Sequence, residues 1–299
     1  MKKITLILII GLLCSLVTGC TSAPQADLAA TTMPVFCFTQ TLCQGTPLIV
    51  TQLITEEVSC VHDYTLTVRQ MQTIESAQAV ICSGAGLEEF MEEALDSAAH
   101  VVDASEGIEL LEGECHHAHG EEEDGHTHGS ETEHEADPHI WLSPANAAMM
   151  AENICIALSA LYPEYESVFA ENLVSLLAQI HEVAAYAERT LSQLSHREII
   201  TFHDGFGYMA HAFGLEILEA IEEESGSEPS AQELIGLIRL VEGHCVSAIF
   251  VETNGSTASA GLISQETGIP VHTLDMAMTG GSWFESMYHN IDTLKEALE

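Results

Sequence analysis

Between Glu112 and Glu135 the chain carries six histidines, nine acidic residues and one cysteine, and no lysine or arginine. Few apolar side chains are present to offset the entropy of ordering, and like charges repel, so the stretch reads as a solvated loop. Neutral imidazoles and carboxylates ligate zinc and its first-row neighbours. His116, His117, His119, His126, His128 and His134 therefore read as accessory ligands that gather divalent ions loosely. A linker needed only for solubility would have no use for histidine, so metal gathering is the stronger reading. The loop runs into Asp137-Pro138-His139-Ile140-Trp141-Leu142-Ser143-Pro144. Pro138 stiffens the backbone before His139 and three apolar residues follow, which marks His139 as a fixed ligand.

The elements that must position such ligands alternate between strand and helix. In the first half, Pro34–Thr39 and Pro47–Ile54 read as buried strands, Thr67–Ser76 as a helix and Ala79–Ser83 as a strand leading into Gly84-Ala85-Gly86. Ala145–Leu161 has helical spacing. From Glu164 to Ser195 there is no glycine or proline, and Val168, Leu173, Leu176, Leu177, Ile180, Val183 and Leu191 recur at intervals of three and four. A helix of that length reaches on the order of 45 Å, enough to join two halves and restrain their relative motion. Beyond it come strands at Glu198–Phe202, Ala248–Glu252 and Val271–Asp275, with helices at Ser230–Glu242 and Ser256–Thr267. Ligand groups in open α/β sheets collect at the carboxyl ends of strands. His203, Asp275 and Glu252 all fall there, Glu252 as a supporting or substitute ligand.

The first residues give the compartment. Lys2 and Lys3 precede an apolar run, and Val17-Thr18-Gly19-Cys20 has the form of a lipoprotein cleavage site. Residues 1–19 are then a signal peptide, Cys20 is lipidated, and 20–30 form a flexible tether. The protein is expected to be extracytoplasmic and lipid-anchored to the cell membrane. A formal charge of -39 leaves no basic surface for phosphates, so nucleic acid is excluded as a partner and divalent cations are favoured. Cys37, Cys43, Cys60 and Cys82 could contribute a disulfide whose pairing stays open, and Cys82 and Cys155 fit buried thiols.

The cleavage site, Val61-His62-Asp63-Tyr64, the histidine-rich loop with DPHIWLSP, HDGFGY, Glu228-Pro229-Ser230-Ala231, FVETN and TLD together resemble the zinc and manganese solute-binding lipoproteins of ABC importers, the cluster A-I family. The resemblance covers nearly all of the mature chain, and DPHIWLSP with HDGFGY is its specific part. It implies an α/β fold of two lobes joined by a long rigid helix, with one metal ion between them. The lobes would span 31–163, including the loop at 112–136, and 196–299, with 164–195 as the linking helix. Carried over by position, the ligands would be His62, His139, His203 and Asp275. Manganese-type members generally carry glutamate where this chain has His203, and three imidazoles with one carboxylate suit four-coordinate zinc. Cys60, two residues before His62, is an accessory ligand candidate or a disulfide partner of Cys37 or Cys43.

The expected activity is capture of zinc and its delivery to a membrane permease driven by a cytoplasmic ATPase, by a monomer. A manganese-binding homologue and a surface zinc buffer or adhesin without a transporter are the alternatives. A zinc hydrolase would need an open coordination position and a general base, Asp204 or Glu252. No H-E-x-x-H occurs, and four protein ligands leave no open position, so no enzymatic activity is expected.

Overall fold

The computed structural model describes residues 26–56, 58, 61, 64–111, 136–222, 229–244, 246–253, 255 and 257–299. Cys20, His62, Cys60 and the six loop histidines lie outside these residues. The first lobe holds a parallel sheet of β1 (Leu28–Ala30), β2 (Val50–Gln52), β3 (Ala79–Cys82) and β4 (Val101–Asp103) in the order β2-β1-β3-β4. The second holds β5 (Glu198–His203), β6 (Glu216–Glu222), β7 (Ile249–Glu252) and β8 (Val271–Leu274), also parallel, in the order β6-β5-β7-β8.

Two expectations for the first lobe are corrected. The tether does not extend to Ala30: Leu28, Ala29 and Ala30 are fully buried and pair with β2 on one side and β3 on the other. Residues 34–39 form part of helix α1 (Met33–Leu42) rather than a strand. A short apolar run fits either element by periodicity, and the deciding signal is Pro34 in the first turn, where a missing N–H costs nothing. Of the stretch 47–54, Val50–Gln52 is strand, and the Leu53 and Ile54 amides extend the pairing to the carbonyls of Ala30 and Thr31.

Helix α2 (Val68–Ser76) starts where expected because Thr67 and Gln70 form a reciprocal capping box. After the short α3 (Glu92–Leu95) and β4, helix α4 (Pro144–Leu161) is capped by the Ser143 hydroxyl. A 3-10 turn at Pro163–Tyr165 then leads into α5 (Glu166–Leu191), the linking helix, about 39 Å long at 1.5 Å per residue.

In the second lobe the side chains of alternate strand residues go to opposite faces. Ile199 and Phe250 join the core shared with the first lobe, whereas Ile200, Phe202, Ile249 and Val251 meet α7 (Ala231–Gly243) and α8 (Ala258–Thr267). Between β5 and β6 lies the short α6 (Gly207–Phe213).

The division at residue 196 does not hold for the end of the chain. Helix α9 (Trp283–Leu298) packs on β8 of the second sheet and also on α5 and α1. Its buried face, Trp283, Met287, Ile291, Leu294 and Leu298, belongs to the first lobe's core. Trp283 meets Phe38 edge-on at 5.5 Å between ring centroids. One continuous apolar core therefore runs from the first sheet through α5 and α9 to the second sheet.

Cys37, Cys43, Cys82 and Cys155 carry free thiols. Burial pushes the Cys43 thiol up to about 12 and raises the other three as well, so these are packing residues with little nucleophilic character. Among the described residues no helix is long and apolar enough to cross a membrane.

Candidate metal centre

His139 and His203 come from different lobes and meet. Their Nε2 atoms are 3.4 Å apart, the ring centroids 5.1 Å apart and the rings nearly perpendicular at 87°. Both residues are 3% exposed. His203 is the last residue of β5, and His139 directly precedes the 3-10 turn Ile140–Leu142, whose three side chains are fully buried.

Asp137 fixes the His139 ring. Its Oδ1 accepts the His139 backbone N–H at 2.9 Å and lies 2.7 Å from Nδ1. A carboxylate only accepts, so Nδ1 is the nitrogen engaged by Asp137 and Nε2, which faces His203, is the one left to meet a metal. Two imidazole nitrogens on one tetrahedral zinc, each at about 2.0–2.1 Å, would sit about 3.3 Å apart. The observed spacing matches that tetrahedral edge.

Two glycines make room for this arrangement. A Cβ at Gly205 would come within 2.7 Å of His203 Cδ2 and Nε2 and 2.8 Å of the Met276 methyl. At Gly207 it would come within 3.0 Å of Asp137 Oδ2. The glycines of the HDGFG segment thus allow the close approach of both histidines, a role invisible in one dimension. Tyr208 adds a link across the lobes, its hydroxyl accepting the Leu111 N–H at 2.9 Å, while Leu111 O accepts the Asp137 N–H.

Asp275 is held differently. It follows β8, and its Oδ1 accepts the Ala277 N–H at 2.8 Å while Oδ2 accepts the Ser286 hydroxyl at 2.7 Å. The first bond closes a turn that lets Ala277 take φ +52°. Its neighbour Met276 reaches both histidines' surroundings: the Met276 carbonyl accepts the Trp141 indole N–H at 2.7 Å, and Trp141 meets His139 edge-on at 5.4 Å. Glu252 ends β7, is 3% exposed and pairs in register with Leu274. It stands two residues beyond the Thr201–Phe250 pair, level with His203 on β5. Among the described residues, no group of three or more histidine, cysteine, aspartate or glutamate side chains is gathered closely enough to hold a metal ion. The structure thus brings His139 and His203 together, while Asp275 is held in its own hydrogen-bonded turn.

Sequence reasoning left Asp137, Gly205, Gly207 and Ser286 without a role. For Asp137 the signal was its place two residues before His139, a spacing that lets one carboxylate reach both the backbone and the ring of that histidine.

Residues 28–297 match the family described as ZnuA, zinc-uptake complex component A, periplasmic. The chain is 30% identical over 319 residues to the zinc-binding lipoprotein AdcA of Streptococcus pneumoniae, across 100% of this chain and 62% of the relative. It therefore spans less than two thirds of that relative's length. Among solved structures, a crystal structure of ZnuA superposes with a TM-score of 0.76 at 26% identity, over 92% of this chain and 100% of that one. The metal-dependent lipoprotein YcdH of Bacillus subtilis gives 0.74 at 25% identity, over 92% and 99%.

Proposed function

Since the chain belongs to the ZnuA family of zinc-uptake components, we propose that it captures zinc outside the cytoplasm and delivers it to a membrane permease driven by a cytoplasmic ATPase. The observation that carries this reading is the 3.4 Å approach of His139 Nε2 to His203 Nε2 in a buried position between the lobes. The proposed ligand set is His62, His139, His203 and Asp275. His139 binds through Nε2 with Asp137 behind it. Asp275 supplies the negative charge, which lowers the charge of the bound dication without the many oxygen ligands manganese prefers.

The histidine-rich stretch, with His116 to His134, raises the local metal concentration, and lipid on Cys20 keeps the protein near its permease. Acidification weakens capture, because protons compete with the metal for imidazole nitrogens. AdcA of Streptococcus pneumoniae is named for zinc binding, which agrees with the imidazole-rich set and disfavours the manganese reading.

The test is competitive titration of the soluble protein under reducing conditions, with and without residues 115–135. One tight zinc ion that survives loop deletion and is not displaced by manganese is the expected result. Loss of all tight binding with the loop would make buffering the better account. Undiminished zinc retention after alanine replacement of both His139 and His203 would overturn the site.

A further inference from the structure

Helix α9 holds Asp275 at three points. Asn290, fully buried on α9, accepts the Asp275 backbone N–H on its Oδ1 at 2.7 Å and donates from Nδ2 to the Asp275 carbonyl at 2.7 Å. This two-way pairing reproduces, with a side-chain amide, the exchange a neighbouring strand would make at the end of β8. One turn earlier on the same face of α9, Ser286 donates its hydroxyl to Asp275 Oδ2 at 2.7 Å. Residues four apart on a helix share a face, so one helix grips both the backbone and the carboxylate. The same face carries Trp283 and Met287 into the core shared with α1 and α5.

We infer that Ser286 and Asn290 are positioning residues for Asp275, which set where its carboxylate stands and thereby tune how tightly the interlobe site holds zinc. This rests on the reading of Asp275 as a zinc ligand. The chemistry permits both roles at once. A carboxylate has about four lone-pair directions; one on each oxygen is taken, by Ala277 and by Ser286, and each oxygen keeps another for a cation. Asn290 meanwhile fixes the backbone, so the carboxylate has little freedom to swing. Groups behind a metal ligand commonly change affinity about 10- to 100-fold when removed.

The experiment measures zinc affinity by chelator competition, together with the melting temperature of the metal-free protein, for the full chain and for Asp275→Ala, Ser286→Ala, Ser286→Thr and Asn290→Ala. Ser286→Ala is expected to weaken zinc about tenfold while leaving the metal-free melting temperature nearly unchanged, and Ser286→Thr, which keeps the hydroxyl, to restore binding. Substitution of cobalt(II) supplies a second readout, because its visible absorption bands report ligand geometry and should shift in Ser286→Ala. Asn290→Ala risks the fold, since it leaves two buried backbone groups unpaired, and Ser286 carries the test if it does not fold. If Asp275→Ala weakens zinc but Ser286→Ala binds as tightly as the parent, or more tightly, the positioning role is overturned and the ligand reading stands. If Asp275→Ala leaves zinc affinity unchanged, the ligand reading falls and takes this inference with it.

Discussion

Trp283 donates its indole N–H to the carbonyl of Trp141 at 2.9 Å, across 142 positions of sequence. Trp141 in turn donates to Met276, so two fully buried indoles chain α9 to the histidine turn and the histidine turn to the segment after β8. Trp283→Ala would remove the edge-on contact with Phe38 as well as this bond. Loss of about 3–5 kcal/mol of stability is expected, measured by urea unfolding of the metal-free protein. Zinc affinity should fall too, since His139 and Asp275 both lean on this chain.

Asp137→Ala takes away the only group paired with His139 Nδ1 in the hydrogen-bond pattern described. The ring then loses its preferred tautomer and orientation, and zinc affinity is expected to drop by about 10- to 100-fold. Asp137→Asn keeps an accepting oxygen and should lose less. Chelator competition at one pH distinguishes the two variants.

Gly205→Ala puts a methyl group where His203 and the Met276 methyl already stand. The ring must shift, since Met276 is itself buried. Weaker zinc binding with a modest change in unfolding free energy, about 1–3 kcal/mol for overpacking, is the expected outcome. A calorimetric zinc titration alongside thermal unfolding checks both parts.

Glu88 offers a pH prediction away from the metal. It is buried, and although the Thr31 hydroxyl and the Ser83 and Gly84 amides donate to it, desolvation outweighs them and lifts its carboxyl from the usual value near 4.5 to about 7. Between those two values the folded protein holds a proton that the unfolded chain has released. Stability from this group is therefore full below about pH 4.5, declines as pH rises, and is lost above about 7. Its size is about 3 kcal/mol, at 1.36 kcal/mol per pH unit. Glu88→Gln should flatten the fall in unfolding free energy between pH 5 and 7.5, as read from denaturant titrations of the metal-free protein.

The residues that were legible in sequence are those whose local pattern agrees with their final place. Glu198–His203, Ile249–Glu252 and Val271–Leu274 are short apolar runs closed by polar groups, and each is a strand. Thr67 and Ser230 mark helix starts through capping boxes. His139 and His203 stood out by their joint placement, one at a loop anchor in the first half and one at a strand end in the second, and the fold brings these two together. Leu28–Ala30 was missed because three residues, two of them alanine, carry almost no strand signal, and only its neighbours β2 and β3 make it central. Glu216–Glu222 was missed for another reason: it is an edge strand whose acidic residues discourage further pairing and hide its apolar members. The roles of Asp137, Gly207 and Ser286 depend on partners 2, 70 and 11 positions away, and the two longer spacings belong to the fold alone.

The core that α5 and α9 carry from one lobe into the other sets the energy scale of release. Each 100 Å² of apolar surface newly exposed to water costs about 2.5 kcal/mol, so a swing baring 400 Å² would cost about 10 kcal/mol, comparable to the whole stability of an ordinary domain. A bound ion, in contrast, is lost once one imidazole moves by about an ångström from its 2 Å bond. Under the proposed function, unloading at a permease would then call for a nudge to a single ring, His139 on its turn or His203 at its strand end, with the two halves of the molecule staying closed on each other.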